Sequence, residues 1–170
     1  MHKIVLVFFI TLFLFSCVAT YDKVRVNKFM DPDTGIETIE SIISFNEGDD
    51  QTFISFNQTK NPRNISWYII CKFCSTVDNE FSTADLTIDK KSNIFEIGHS
   101  SNKYDLKTAN SNIFRQVDYF KINETVIADL NNCENLKLRF NCVDDTLEFA
   151  FDKEQTDAVK DWIKNITIPK

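Results

Sequence analysis

The chain has 170 residues, a formal net charge of −6, and 43% hydrophobic residues that include 16 Phe beside only three Gly and three Pro. That length suits one domain with room for a packed core, and the scarcity of Gly and Pro speaks against disorder. A net negative surface is repelled by phosphate backbones, so nucleic acid is not an expected partner.

The first element is "MHK" followed by an apolar run from Ile4 to Phe15 that only Thr11 interrupts. A short basic start and about a dozen apolar residues have the form of a secretory signal. A permanent span needs about 20 apolar residues, and this run is shorter. It ends at Leu14-Phe15-Ser16-Cys17. This stretch resembles the lipobox of bacterial lipoproteins, in which a Leu lies three residues before the cysteine and a small residue directly before it. The resemblance implies a diacylglyceryl group on the Cys17 sulfur, cleavage before Cys17, and acylation of the new amino end by a palmitate-like chain. It covers residues 1–17 and names a processing route, not an activity. Two or three acyl chains hold a protein firmly to a bilayer, at about 0.8 kcal/mol per buried methylene. The expected organisation is a signal peptide over 1–16, a lipid-anchored tether over 17–22 and one globular β-rich domain over 23–170. The alternative is cleavage after Ala19 and release as a soluble secreted protein.

Strand signals then follow one another. "KVRVNKF" alternates, and "DPDTG" after it reads as a turn. "IETIESIISF" puts Ile39, Ile43 and Phe45 on one face, and "NEGDD" turns the chain into "TFISF". "ISWYIICKFC" is apolar on both faces, which predicts a central strand. "ADLTID" and "IFEIGH" flank "KKSN" as a hairpin, with Leu86, Ile88, Phe95 and Ile97 inward. "IFRQVDYFKI" predicts a strand and "ETVIADLNN" two helical turns. "LKLRFNC" and "LEFAF" alternate strictly and are joined by "VDDT", which predicts an antiparallel hairpin. Asp152 followed by Gln155 has the form of a capping box. Val159, Trp162 and Ile163 then follow at helical spacing, predicting an amphipathic helix over 153–166 laid on the face of Leu136, Leu138, Phe140, Leu147, Phe149 and Phe151. The expected fold is mainly β: an antiparallel sandwich or open barrel of about eight strands with one C-terminal helix.

Five cysteines occur, and lipidation of Cys17 leaves Cys71, Cys74, Cys133 and Cys142. An even number in an exported chain is compatible with disulfides. Cys71-Lys-Phe-Cys74 ends a strand with no helical pattern after it, unlike a thioredoxin-type motif, and Cys133 and Cys142 lack knuckle spacing. In an extended strand Cys71 and Cys74 are about 10 Å apart on opposite faces, too far for one bridge. Cys71 with Cys142 is the favoured pairing and Cys74 with Cys133 the second, with buried free thiols as the alternative. His99, the one histidine after the signal, has no nucleophile elbow around it. Asp31, Asp33 and Glu37 around Gly35 have the wrong spacing for a calcium loop and read as a turn. Sequons stand at Asn57, Asn64, Asn123 and Asn165. No metal, cofactor or catalytic set is expected. The expected role is a binding or interaction module in the cell envelope, anchored to a bacterial membrane and holding a protein or small ligand. The alternative is a secreted hydrolase or redox protein using His99 or the Cys71/Cys74 pair.

Overall fold

The computed structural model describes residues 24–47, 50–75, 81–99, 104–107, 112–142 and 146–166. Cys17 and the signal and tether around it lie outside the described residues, as do residues 48–49 in the "NEGDD" turn and 143–145 in the "VDDT" turn. The described elements are β1 (Val24–Met30), β2 (Glu37–Glu47), β3 (Asp50–Asn61), β4 (Asn64–Ser75), β5 (Phe81–Ile88), β6 (Lys91–Glu96), β7 (Gly98–His99), β8 (Tyr104–Lys107), β9 (Asn112–Ile122), α1 (Glu124–Asn132), β10 (Leu136–Cys142), β11 (Thr146–Ala150) and α2 (Lys153–Asn165).

Two antiparallel sheets face each other. Sheet A runs β1-β2-β3-β4-β9, with β7 and β8 sharing the far edge of β9, and sheet B runs β11-β10-β5-β6. The sandwich of the sequence reading is what forms. Eleven strands are described where about eight were expected, and β7 and β8, of two and four residues, are too short to show a period of their own.

Alternation decides the faces. On sheet A, Ile39 and Ile43 of β2, Ile54 and Phe56 of β3, and Trp67, Ile69, Cys71 and Phe73 of β4 are buried and point inward. They meet Phe81, Leu86, Leu138, Phe140 and Phe149 from sheet B in one core. The rings of Phe73, Phe81 and Phe140 are mutually 4.8 to 5.1 Å apart in tilted and edge-on arrangements. Burying such large aromatic surfaces dominates the stability of a sandwich this size. β4 lies between β3 and β9, the central position that its two apolar faces predicted.

The turns follow from local chemistry. Asp31 Oδ1 accepts the N–H of Asp33 at 2.9 Å, and Gly35 takes φ +65°, so the acidic stretch before β2 is a turn closed on itself. The β5–β6 hairpin is tighter than "KKSN" implied. Ile88 pairs with Lys91, leaving only Asp89 and Lys90 in the loop. Asp89 adopts φ +54°, a left-handed conformation that Asp tolerates, and its Oδ1 accepts the N–H groups of Glu134 and Asn135, both at 2.9 Å.

Asp152 and Gln155 form a reciprocal capping box at the start of α2, each bond 2.9 Å. The helix bears Ala158, Val159, Trp162 and Ile163 inward. Its docking site differs from the expected one. Trp162 is fully buried, donates its Nε1–H to the Ile39 carbonyl at 2.9 Å, and stands 5.9 Å from the Phe56 ring. The helix therefore lies on β1 and β2 of sheet A, beside sheet B and in the same layer. The reason is width: sheet B has four strands, so the β1–β3 side of the wider sheet A needs another cover. The hairpin face is instead closed by Phe45 of sheet A, whose ring is 5.0 Å from Phe149 and 5.2 Å from Phe151.

Candidate functional site

The two outward faces of the sandwich are unlike each other. Sheet B carries ion pairs and hydrogen-bonded polar side chains, with Ile94 exposed among them. Glu148 takes Lys137 at 2.9 Å and Arg139 at 2.7 Å, Asp85 accepts from Ser92, and Asn141 donates to Thr83. The two cations beside Glu148 hold its carboxyl below the usual range.

The outward face of sheet A sets aliphatic and aromatic side chains among polar and charged ones. One cross-strand row runs Ile42, Ser55, Ile70, Tyr119 and Gly98; the next carries Glu40, Asn57, Tyr68 and Lys121; the third carries Phe53, Lys72 and Val117. Ile42, Phe53, Tyr68, Ile70 and Val117 are half-buried, and Tyr119 is 42% exposed. Tyr68 and Tyr119 stand edge to face with centroids 6.5 Å apart. Gly98 makes room for this platform: a Cβ there would lie 2.8 Å from ring atoms of Tyr119. The described charges on the face are Arg25, Lys72 and Lys121 against one acid, Glu40, on a chain of net charge −6. Asn57 is buried among these side chains, and its Nδ2 has no hydrogen-bond partner. A buried amide donor without an acceptor costs about 1–3 kcal/mol. Its burial also withdraws the Asn57 sequon from solvent, while Asn64, Asn123 and Asn165 are exposed.

Behind this face, in the core, lies a second feature. Asp118 of β9 pairs in register with Cys71 of β4, and Gln116 with Phe73, so both polar side chains share the inward face. Asp118 is 1% exposed and accepts Gln116 Nε2–H at 2.6 Å. Burial and the nearby Asp118 carboxyl push the Cys71 thiol well up, which keeps it protonated and poorly nucleophilic. The register sets His99 opposite Asp118 on the other side of β9; the His99 side chain lies outside the described residues.

The cysteines do not pair as expected. Cys71, Cys74 and Cys133 are free thiols. β4 and β10 both run away from the α1 end of the sandwich, because Trp67 pairs with the Ile122 that precedes α1 and Leu136 follows α1. Phe73, two residues after Cys71, meets Phe140, two residues before Cys142. Cys142 therefore stands about four residues, roughly 13 Å, further along than Cys71. A register shift between Asn141 and Cys142 alters the pairing there as well, and the Cys142 side chain lies outside the described residues. Cys74 is half-buried on the outward face of sheet A, whereas Cys133 is buried where it caps α1 at the opposite end. Cys71 and Cys74 point to opposite faces of β4, so the CxxC spacing brings no two thiols together.

Two shallow clefts are lined by described residues. One of about 430 Å³ lies between the β5–β6 turn and α1 and is spanned by the Lys91–Asp129 ion pair. The other, of about 560 Å³, lies between Val24 of β1 and the Glu154, Asp157 and Asp161 side of α2. Among the described residues no three His, Cys, Asp or Glu side chains gather as metal ligands, and no helix is long and apolar enough to cross a membrane. No family model, curated protein or solved structure matches this chain.

Proposed function

We propose that this protein is an exported, membrane-anchored lipoprotein that works as a non-catalytic interaction module in the cell envelope, engaging a protein partner through the outward face of sheet A. The observation that carries the reading is the contrast between the two outward faces. One carries ion pairs; the other carries the half-buried Ile42, Phe53, Tyr68 and Ile70 beside the exposed Tyr119. Aromatic and aliphatic side chains set among polar groups match the composition of a protein–protein interface. The face is broad, and a broad face with an aromatic centre suits a protein partner. Its cations suit a partner with an acidic rim. Cys17, carrying acyl chains, holds the module at the membrane.

The enzymatic alternative draws less support. The Cys71 thiol is kept protonated inside the core, and Cys74 looks away from it. The experiment is complementation of a deletion strain. The reading expects Ile70→Ser with Tyr119→Ser to abolish function at normal protein level, and His99→Ala and Cys74→Ser each to retain it. Cys17→Ala should lose palmitate incorporation and leave the membrane fraction. Loss of function in His99→Ala or Cys74→Ser, with the face double variant fully active, would overturn it.

A further inference from the structure

β1 is the edge of sheet A and pairs with β2 alone among the described residues. Five large hydrophobic side chains are exposed among the described residues, and three of them, Val26 (44%), Phe29 (52%) and Met30 (63%), sit on this one seven-residue strand. An exposed edge with apolar side chains is a template for another strand, and a soluble chain ordinarily covers or blunts it. Beside the inward face of β1 runs the α2 cleft, lined by Val24 and Ala158 and by three acids, Glu154, Asp157 and Asp161, with one cation, Lys153.

We infer that β1 pairs antiparallel with β1 of a second copy of this chain, joining two A sheets into one. Only the register centred on Asn27 pairs all seven residues of the strand with their counterparts. It sets Val24 opposite Met30 of the second copy, Arg25 opposite Phe29, and Val26 opposite Lys28. Each pair is favourable: Val24 with Met30 is apolar, Arg25 over a Phe ring is a cation–π pair, and Lys28 lays its stem along Val26. Centring on Lys28 would oppose two ammonium groups, and centring on Val26 would pair only five of the seven strand residues with each other.

The fit extends to α2. Val24, Val26, Lys28 and Met30 lie on the inward face, as their partners Ile43, Ser41, Ile39 and Glu37 do. A two-fold axis normal to the sheet keeps the second copy's Lys28 and Met30 on that same side. Met30 then reaches the cleft beside Val24 and Ala158, and Lys28 faces the acids of α2. Lys28 already bonds Glu37 at 2.9 Å while 64% exposed, so it turns to a second carboxylate at small cost. A seven-residue ladder buries less than a standard stable interface, so the dimer is weak in solution and favoured by confinement to a membrane. Pairing also makes the outward faces of the two A sheets continuous, whatever those faces bind.

The test is cysteine cross-linking in cells, on the full-length anchored chain in a Cys74→Ser background with copper–phenanthroline as oxidant. Directly opposed residues bring Cα atoms to about 4.5–5.5 Å, within disulfide reach, while a four-residue offset does not. Asn27→Cys should give a covalent homodimer, at least tenfold more than Arg25→Cys or Phe29→Cys alone. Co-expressed Arg25→Cys and Phe29→Cys chains should cross-link to each other. Adding Val26→Lys with Met30→Lys should remove the Asn27→Cys adduct while leaving the protein level unchanged. A monomeric Asn27→Cys chain, equal adducts at all three positions, or an adduct with a different protein would each overturn the second copy as occupant.

Discussion

Replacing Trp162 by alanine tests how α2 is held. The side chain is fully buried, its indole N–H donates to Ile39 O at 2.9 Å, and its ring lies 5.9 Å from Phe56. Large-to-small changes of this size cost about 3–5 kcal/mol through lost transfer energy and the cavity left behind. The Ile39 carbonyl also loses its indole donor. A domain has roughly 5–15 kcal/mol in all, so the variant should be near the edge of folding. Trp162→Phe keeps most of the volume and loses chiefly the hydrogen bond, for about 1–2 kcal/mol. Asp152→Ala removes one half of the capping box, for about 1 kcal/mol. Urea melts of the 23–170 domain separate the three, since a slope of about 2 kcal/mol per M turns 4 kcal/mol into a midpoint shift of about 2 M. A helix of 13 residues is marginal alone in water, so its order must come from this docking. If Trp162→Ala shifts the midpoint no more than Asp152→Ala does, α2 is not held by sheet A and the packing argument fails.

Asp89 should impose an acid limb on stability. Backbone N–H groups of Asn135 and Glu134 hold its carboxyl below the ordinary 3.8, so its contribution is complete above about pH 4 and is lost as pH falls through the lowered value. Asp89→Asn, which keeps the left-handed turn and an acceptor oxygen, should flatten that limb in melts taken across pH 2–5; an unchanged limb would contradict the assignment. Among the described thiols, a maleimide should label Cys74 in the native protein and reach Cys71 and Cys133 only on unfolding, because burial raises both thiols and shields them; native labelling of Cys71 would show an open core. Gly98→Ala should cost about 1–2 kcal/mol by driving a methyl group into the Tyr119 ring, and Tyr119→Ser should recover most of it in a double-mutant cycle.

The parts of this fold that the sequence foretold are those where burial on one side writes a period into the chain. Leu136, Leu138 and Phe140 alternate with Lys137, Arg139 and Asn141 because one row faces Phe73 and the other faces water. The Asp152–Gln155 box is equally local. Docking is not local: the pattern of Val159, Trp162 and Ile163 shows which side of α2 is buried, and says nothing of which sheet buries it. The short turn at Asp89 was hidden because Lys91, Ser92 and Asn93 are polar strand residues on a sheet edge.

The candidate face was partly readable. "ISWYIICKFC" carries apolar residues on both faces, and a central strand of a two-layer sandwich needs them on only one. Tyr68 and Ile70 are that excess. The buried pair was legible too, since inward Phe120 and Ile122 put Gln116 and Asp118 on the same row of "IFRQVDYFKI". The cysteine pairing failed because it needed the relative direction of β4 and β10, which depends on the layers and not on spacing.

Position-resolved photo-cross-linking in intact cells tests the claim that sheet A's outward face is the working surface. A benzophenone side chain would be placed singly at Ile70 or Tyr119 on that face, and at Lys137 or Arg139 on the polar face of sheet B. The account predicts one discrete protein adduct from Ile70 and Tyr119, competed by the unlabelled wild-type domain and absent from Lys137 and Arg139. Adducts from Lys137 and Arg139 with none from Ile70 or Tyr119 would contradict it.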